Sequence, residues 1–435
     1  MKYPSRLPAL DSSFTGLFQH DRSHTLPGTP ALPVLCVVGT RPEAIKMAPL
    51  IRTLSTSGWA TPVTVATGQQ QSLLDDALAD FDIRVNVRLP HTGASHSPVN
   101  FLAHCLSEVD EQISLRQPAA VIAQGDTTSV HAAAMAAFYR RIPFVHVEAG
   151  LRTGDMNAPF PEEYHRRSVA LATALHCAPT QAAAANLRDE GIEEARILVS
   201  GNTVIDALLA TAARKPPLPF GFPHALQQQQ QQRVILLTLH RRENFGPNIH
   251  NALTAVRAFV DAHADVSVWF PVHPNPNARN VVHALLSGHP RIHLVEPMPY
   301  RDLVAVMGAS WCVLTDSGGL QEEAPALGKP VLVLRESTER PEAVEAGVAE
   351  LVGTDQARVT QALNALYDDT QKYRRMARVA MPFGDGRAAA RIVDALGGML
   401  QGAVRHAAAS APNDSPPDTP QHATHDMAPA RSAAR

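Results

Sequence analysis

The sequence predicts an α/β protein built from two Rossmann-like domains whose parallel sheets face a common cleft. Short apolar runs, each closed by a Gly-containing or polar turn and followed by helical periodicity, recur along the chain. They fall into two series separated by Lys215–Gln232, which holds four prolines and then six consecutive glutamines. The 435-residue length exceeds what one hydrophobic core usually organises, so two cores are expected.

The first strand is predicted at Pro33–Val38. A helix follows from near Pro42, because Thr40 and Glu43 have capping-box spacing and proline is tolerated in a first helical turn. Met47, Leu50, Ile51 and Leu54 supply its buried stripe. Further strands are expected at Pro62–Ala66, Ala119–Ala123, Pro143–Val147 and Arg196–Ser200, with a helix at Val130–Tyr139. The second series places strands at Val234–Leu239, Val266–Pro271, Ile292–Val295, Trp311–Thr315, Pro330–Leu334 and Ala349–Val352. These readings divide the chain into a disordered tail (1–30), a first domain (31–214), a Pro/Gln-rich linker or insertion (215–232) and a second domain (233–380). A helix crossing back to the first domain (381–405) and a second disordered tail (406–435) complete the division. The linker and tails are poor in clustered apolar residues and cannot offset the entropy of ordering.

A net charge of -3, with arginines scattered, leaves no basic face for nucleic acid. Cys36, Cys105, Cys177 and Cys312 lie far apart without a C-x-x-C pair, so buried free thiols in a reducing compartment are expected rather than disulfides. No apolar stretch is long enough to span a bilayer, and the first thirty residues lack the apolar core of a signal peptide. A soluble cytoplasmic protein is the expectation.

Chemistry concentrates where strands end. Asp126 follows Gln124-Gly125, Glu148 closes the strand through Val147, and Glu162 lies in Pro161-Glu162-Glu163. Any one of these acids could cap a helix or pair with a nearby arginine. Three together past strand carboxyl ends, with no metal-ligand spacing, point to proton handling on a polar small molecule. In the second series, Thr315-Asp316-Ser317-Gly318-Gly319 precedes a helix expected at Leu320–Leu327, so free backbone N–H groups and a positive helix end favour a diphosphate. Glu322 and Glu323 on its first turns could accept both hydroxyls of a ribose. His240, Arg241 and Arg242 end another strand and offer donors to the same anion, while Arg41 and Lys46 bring charge from the first helix. No G-x-G-x-x-G follows the first strand and no G-K-[ST] loop occurs, which argues against a tightly held dinucleotide or ATP.

Taken together, Gly39–Pro49, Gly125-Asp126-Thr127-Thr128, His146–Gly154, Pro161-Glu162-Glu163, Gly201-Asn202-Thr203, His240–Asn244 and Asp316–Lys329 resemble the bacterial non-hydrolysing UDP-N-acetylglucosamine 2-epimerases from about residue 33 to 400. The resemblance implies a GT-B-like fold, a homodimer, no metal or redox cofactor, and interconversion of UDP-N-acetylglucosamine with UDP-N-acetylmannosamine for surface polysaccharides. It implies Asp126, Glu148 and Glu162 as catalytic carboxylates with His240 beside the diphosphate. Arg41, Lys46, Ser317, Gly318, Gly319, Glu323 and Arg340 are the implied UDP-binding set, with Met298 and Leu303 in the base-binding segment. Gln69, Glu162, Arg241 and His273 match an activator pocket for a second UDP-sugar. Ser72 and His104 replace a glutamine and an arginine there, so activation is expected to be weak. The competing expectations are an epimerase of a UDP-2,3-diacetamido-glucuronate and a GT-B glycosyltransferase.

Overall fold

The computed structural model describes residues 31–69, 71–90, 97–223, 232–241 and 244–409, with side chains left out at 71–73 and beyond 401. The predicted N-terminal tail, residues 410–435, the glutamine run to Gln231, Gln70, Arg242, Glu243 and the Ser72 side chain lie outside that description, whereas residues 406–409, expected to be disordered, continue the helix Ala388–Ala409. The chain as far as Gly397 forms one compact unit, and the segment from Gly398 a second. No helix among the described residues is long and apolar enough to cross a membrane.

Two parallel sheets organise the larger unit. The first contains β1 (Leu32–Val38), β2 (Ala60–Ala66), β3 (Val87–Arg88), β4 (Ala120–Gln124), β5 (Phe144–Val147), β6 (Leu175–Ala178) and β7 (Ile197–Val199), in the order β3-β2-β1-β4-β5-β6-β7. The second contains β8 (Arg233–Thr238), β9 (Val266–Pro271), β10 (Ile292–Val295), β11 (Cys312–Thr315), β12 (Val331–Val333) and β13 (Ala349–Leu351), in the order β10-β9-β8-β11-β12-β13. Val34, Leu35, Cys36, Val37 and Val38 are all buried, as expected for a strand covered by helices on both faces. Phe144, Leu35 and Val121 help fill the first core; Phe259, Phe270 and Leu253 help fill the second. All four cysteines are buried free thiols.

Strand order reverses direction between β1 and β4 in the first sheet and between β8 and β11 in the second. A crevice opens at such a switch point, past the carboxyl ends of the strands. Thr40, Asp126, His240 and Asp316 all follow these four strands directly or nearly so. The sheet topology therefore gathers four segments of the candidate site before any side-chain contact is considered.

Three expectations need correction. The strands β3 and β6 were not expected. Lys215–Gln232 was expected not to order itself, yet Phe222 is fully buried and packs edge-on against Trp269 at 5.3 Å between ring centroids. One aromatic side chain anchors that stretch where average composition suggested none would. The helix expected at Leu320–Leu327 runs instead over Gly318–Ala326, so both glycines lie in its first turn and neither has positive φ.

The helix starting at Ala388 is tied to the first sheet's half of the unit. Asp206 accepts from the N–H groups of Ala388 (3.2 Å) and Ala389 (2.9 Å), satisfying donors a helix start leaves without partners.

Candidate active site

The first helix, Arg41–Thr56, begins where β1 ends. Glu43 reaches back to accept from the N–H groups of Gly39 (2.5 Å) and Thr40 (2.9 Å), and also from the Thr127 hydroxyl (2.5 Å). One buried carboxylate thereby fixes the loops after β1 and β4. Burial pushes its acidity down, with pKa up to about 7, against the pull of these donors.

Asp126 sits beyond β4 after Gly125, whose φ of +89° lets the chain turn. Its carboxylate pairs with Arg166 at 2.7 Å, and its backbone carbonyl bonds to His165 Nδ1 at 2.8 Å. Arg166 comes from the helix Glu162–Ala172, which also carries Glu162, half-buried at the helix start. The neighbouring Glu163 is fully buried, accepts from the N–H groups of Thr153 (3.1 Å) and Gly154 (3.2 Å), and pairs with Arg166. Within Pro161-Glu162-Glu163, then, Glu163 holds the loop and the Glu162 side chain forms no ion pair or hydrogen bond among the described residues.

Glu148 lies just past β5 with φ of +65°, a left-handed conformation costly for a residue bearing a Cβ. Four contacts hold it there. Lys46 Nζ donates to its two oxygens at 2.6 and 2.7 Å, Asn202 Nδ2 donates at 3.1 Å, and Gln124 donates from the end of β4. Burial alone would raise the Glu148 pKa, but the Lys46 ammonium and the Arg340 guanidinium more than offset it, holding the group below the usual carboxylate value. The Lys46 ammonium, expected to bring charge from the first helix, is buried and paired with Glu148. The reason is the left-handed turn, which points Glu148 back onto the first helix.

The same network continues into the second half of the unit. Asn202 Nδ2 also donates to Glu322 at 2.6 Å; Glu322 pairs with Arg340 at 2.5 Å, and Arg340 with Glu339 at 2.8 Å. Glu322 is thus not open to a ribose. Among the described residues the buried Oε2 of Glu323 and the buried Tyr300 hydroxyl have no hydrogen-bond partner, and burial followed by the Glu322 charge pushes the Glu323 pKa up to about 8. Arg41 donates to the Met298 carbonyl at 2.7 Å, joining the first helix to the segment expected to bind the base, where Leu303 is half-buried. A Cβ on Gly318 would stand 2.7 Å from the Arg340 guanidinium, so the glycine admits Arg340 as well as leaving backbone open. Ser317 precedes it as the helix N-cap.

His240 presents an ordered imidazole. Its Nδ1 bonds to Asp316 at 3.1 Å, and Asp316 also accepts from the N–H groups of His240 and Arg241 and from Asn244. Asp316 is fully buried; burial would raise its pKa, and the His240 interactions bring it below the usual value. His273 stacks on His240 at 5.9 Å, and Arg241 approaches Glu339 at 3.5 Å. Gln69 is exposed and accepts from the Ser129 hydroxyl at 2.8 Å. Among the described residues no hydrogen bond or ring contact joins Gln69 or Glu162 to Arg241 or His273. His104 bonds to the Pro90 carbonyl at 2.7 Å.

Sequence reasoning gave no role to Arg166, Asp316 or Asn202. Each is revealed by a partner distant in the chain; Asn202 and Asp316 had a signal, lying within Gly201-Asn202-Thr203 and Thr315-Asp316-Ser317-Gly318-Gly319, and Arg166 had none.

Comparison with known proteins places this geometry. The family model described as UDP-N-acetylglucosamine 2-epimerase matches residues 52–397. The UDP-N-acetylglucosamine 2-epimerase of Bacillus subtilis is 42% identical over 366 residues, covering 84% of this chain and 95% of that protein. The crystal structure of the Neisseria meningitidis enzyme bound to UDP-GlcNAc is 39% identical, with a TM-score of 0.78, covering 84% of this chain and 99% of that one. An S. aureus MnaA–UDP co-structure is similar at 39% identity and a TM-score of 0.78, covering 85% and 97%. Sequence, fold and the acids grouped at the strand ends agree: the chain belongs to the UDP-N-acetylglucosamine 2-epimerase family, and is an isomerase of the epimerase kind.

Proposed function

We propose that the protein interconverts UDP-N-acetylglucosamine and UDP-N-acetylmannosamine by eliminating and re-adding UDP. The observation that carries this reading is the grouping of Asp126 and Glu148 at adjacent strand ends, beside a crevice whose other wall offers a helix N-terminus, His240 and a buried Glu323 Oε2 with no hydrogen-bond partner among the described residues. Similarity to enzymes captured with UDP-GlcNAc and UDP supports the substrate class.

The chemistry suits these groups. A hydrogen on C2 is a weak acid, so the anomeric C1–O bond breaks first and positive charge develops at C1. An acid–base group then takes the C2 proton, leaving a C1–C2 double bond, 2-acetamidoglucal, beside free UDP. Re-addition returns the UDP oxygen to C1 and a proton to the opposite face of C2. Glu148, locked and held ionised by Lys46 and Arg340, is suited to stabilising the charge at C1. Asp126 and Glu162, more open, are suited to moving the proton. His240 Nε2, with the helix start at Ser317-Gly318-Gly319, holds the departing diphosphate. The buried Glu323 carboxyl and the Tyr300 hydroxyl meet the nucleoside hydroxyls, and Arg41, Met298 and Leu303 border the base.

The reading extends to a weakened activator site at Gln69, Glu162, Arg241 and His273, and to a homodimer. Phe138, Tyr139 and Leu171 are largely exposed and line one groove, an apolar face suited to a second copy. Light scattering on the purified chain tests the dimer. The buried free thiols fit a reducing compartment, where the product would enter polysaccharide synthesis. The activity is tested by incubating the protein with UDP-GlcNAc alone and following the sugar by NMR. Appearance of UDP-ManNAc supports the reading; release of UDP with no epimer, or a requirement for a sugar acceptor, contradicts it.

A further inference from the structure

Asn202 occupies a position none of the chemistry above requires. It is 2% exposed and lies between the two halves of the unit. Each of its polar atoms has a partner. Its side-chain amide donates to Glu148 at 3.1 Å and to Glu322 at 2.6 Å, and Oδ1 caps the helix Thr203–Ala213 by accepting from Val204 N–H at 3.1 Å. Its own backbone N–H donates to the Phe383 carbonyl at 2.6 Å. Gly201 makes this approach possible: it has φ of +87°, and a Cβ there would stand 3.1 Å from Gly384 Cα. The cap alone would be served equally well by serine or aspartate. Only a primary amide of this length can cap the helix and also give one hydrogen to each of two carboxylates.

We infer that Asn202 is a positioning residue that bridges Glu148 and Glu322 and so sets the charge and orientation of Glu148 across the two halves of the site. The inference rests on the epimerase reading for what Glu148 does, and on geometry for what Asn202 does. The charged and titratable groups around Glu148 are Lys46 from the first helix, Arg340 and Glu322 from the second half, and His146 from β5, with Glu323 beside Lys46 and Glu322. Burial would raise both carboxylates: at Glu148 it is overcome by the Lys46 and Arg340 charges, which hold the group below its usual range, whereas at Glu322 it prevails and holds the group above it. Two buried like charges this close need a donor between them, and Asn202 supplies it without adding charge.

The test uses two variants that keep a helix cap, Asn202→Ser and Asn202→Asp, in the full-length chain. Serine removes the bridge; aspartate replaces a shared donor by a third acceptor. The acid limb of the kcat/KM profile is expected to move up by about one pH unit in the serine variant, a tenfold loss at the acid end. It should move further in the aspartate variant, with kcat affected more than KM. A reading without turnover accompanies it: the pH dependence of the thermal midpoint. Glu148, with its pKa depressed by folding, stabilises the native state above its unfolded value, and this is lost as pH falls. The midpoint difference between wild type and the serine variant should therefore shrink on acidification. An unmoved acid limb in both variants, or a midpoint difference that stays constant with pH, overturns the inference and leaves Asn202 a helix cap. Absence of epimerisation by the wild type would count against the epimerase reading instead, and the midpoint measurement would still decide the bridge.

Discussion

At the scale of single residues, acids that look alike in the sequence are held in different ways: Asp126 by Arg166, Glu148 by Lys46 and Asn202, and Glu162 by no side-chain partner among the described residues. Asp126→Asn, Glu148→Gln and Glu162→Gln preserve size and remove charge or basicity. Each is expected to lower turnover on the order of a hundredfold or more, while UDP binding by calorimetry changes little, because the diphosphate contacts lie elsewhere. Near-normal turnover in any one variant removes that residue from the mechanism. Glu323 supports a separate prediction. Its folded pKa of about 8 exceeds its ordinary 4.5, so the native state binds the extra proton and stability falls as pH rises between those values. The slope should be about 1.4 kcal/mol per pH unit at most for this group, and Glu323→Gln should flatten the urea-midpoint profile over that window. An unchanged profile would show that the carboxyl is already ionised. The positions of Asp126 and Glu148 were legible because each follows a strand closely, and that of Glu323 because it lies on the helix that starts after β11. That Lys46 is spent on Glu148 was not, since the 102-residue separation leaves no local pattern.

At the scale of elements, the strands that were legible are short apolar runs bounded by turn signals, such as Val266–Pro271 and Ile292–Val295, both read to the residue. β3 was missed because only Val87 and Arg88 pair, too few to show alternation. β6 was missed because Leu175–Ala178 comes two residues after the helix Glu162–Ala172, and its apolar residues extend that helix's periodicity. Loop geometry then positions the acids. Gly150, two residues past Glu148, has φ of +90°, and an added Cβ would run into the Ala183 carbonyl. Gly150→Ala is expected to cost about 2 kcal/mol or more in urea unfolding and to lower activity with it; wild-type stability would show that the turn tolerates a side chain. Asp206→Ala removes both acceptors from the start of the helix at Ala388 and should cost about 1 kcal/mol. A midpoint equal to that of wild type would show that water replaces the cap.

At the scale of the molecule, two sheets that each reverse order beside their first strand bring four strand ends to one crevice. That architecture was legible, because alternation of strand and helix dictates parallel pairing and parallel pairing dictates where the loops gather. The chain of contacts Lys46–Glu148–Asn202–Glu322–Arg340, which makes the site depend on both halves at once, was not legible, because it exists only after each half has folded. The central claim is that this shared site exchanges the C2 proton of a UDP-sugar through elimination and re-addition. NMR of UDP-GlcNAc with the enzyme in deuterated water tests it most directly. The account predicts deuterium at C2 in both UDP-GlcNAc and UDP-ManNAc, without added nicotinamide. Epimerisation with the original hydrogen retained at C2 would contradict it.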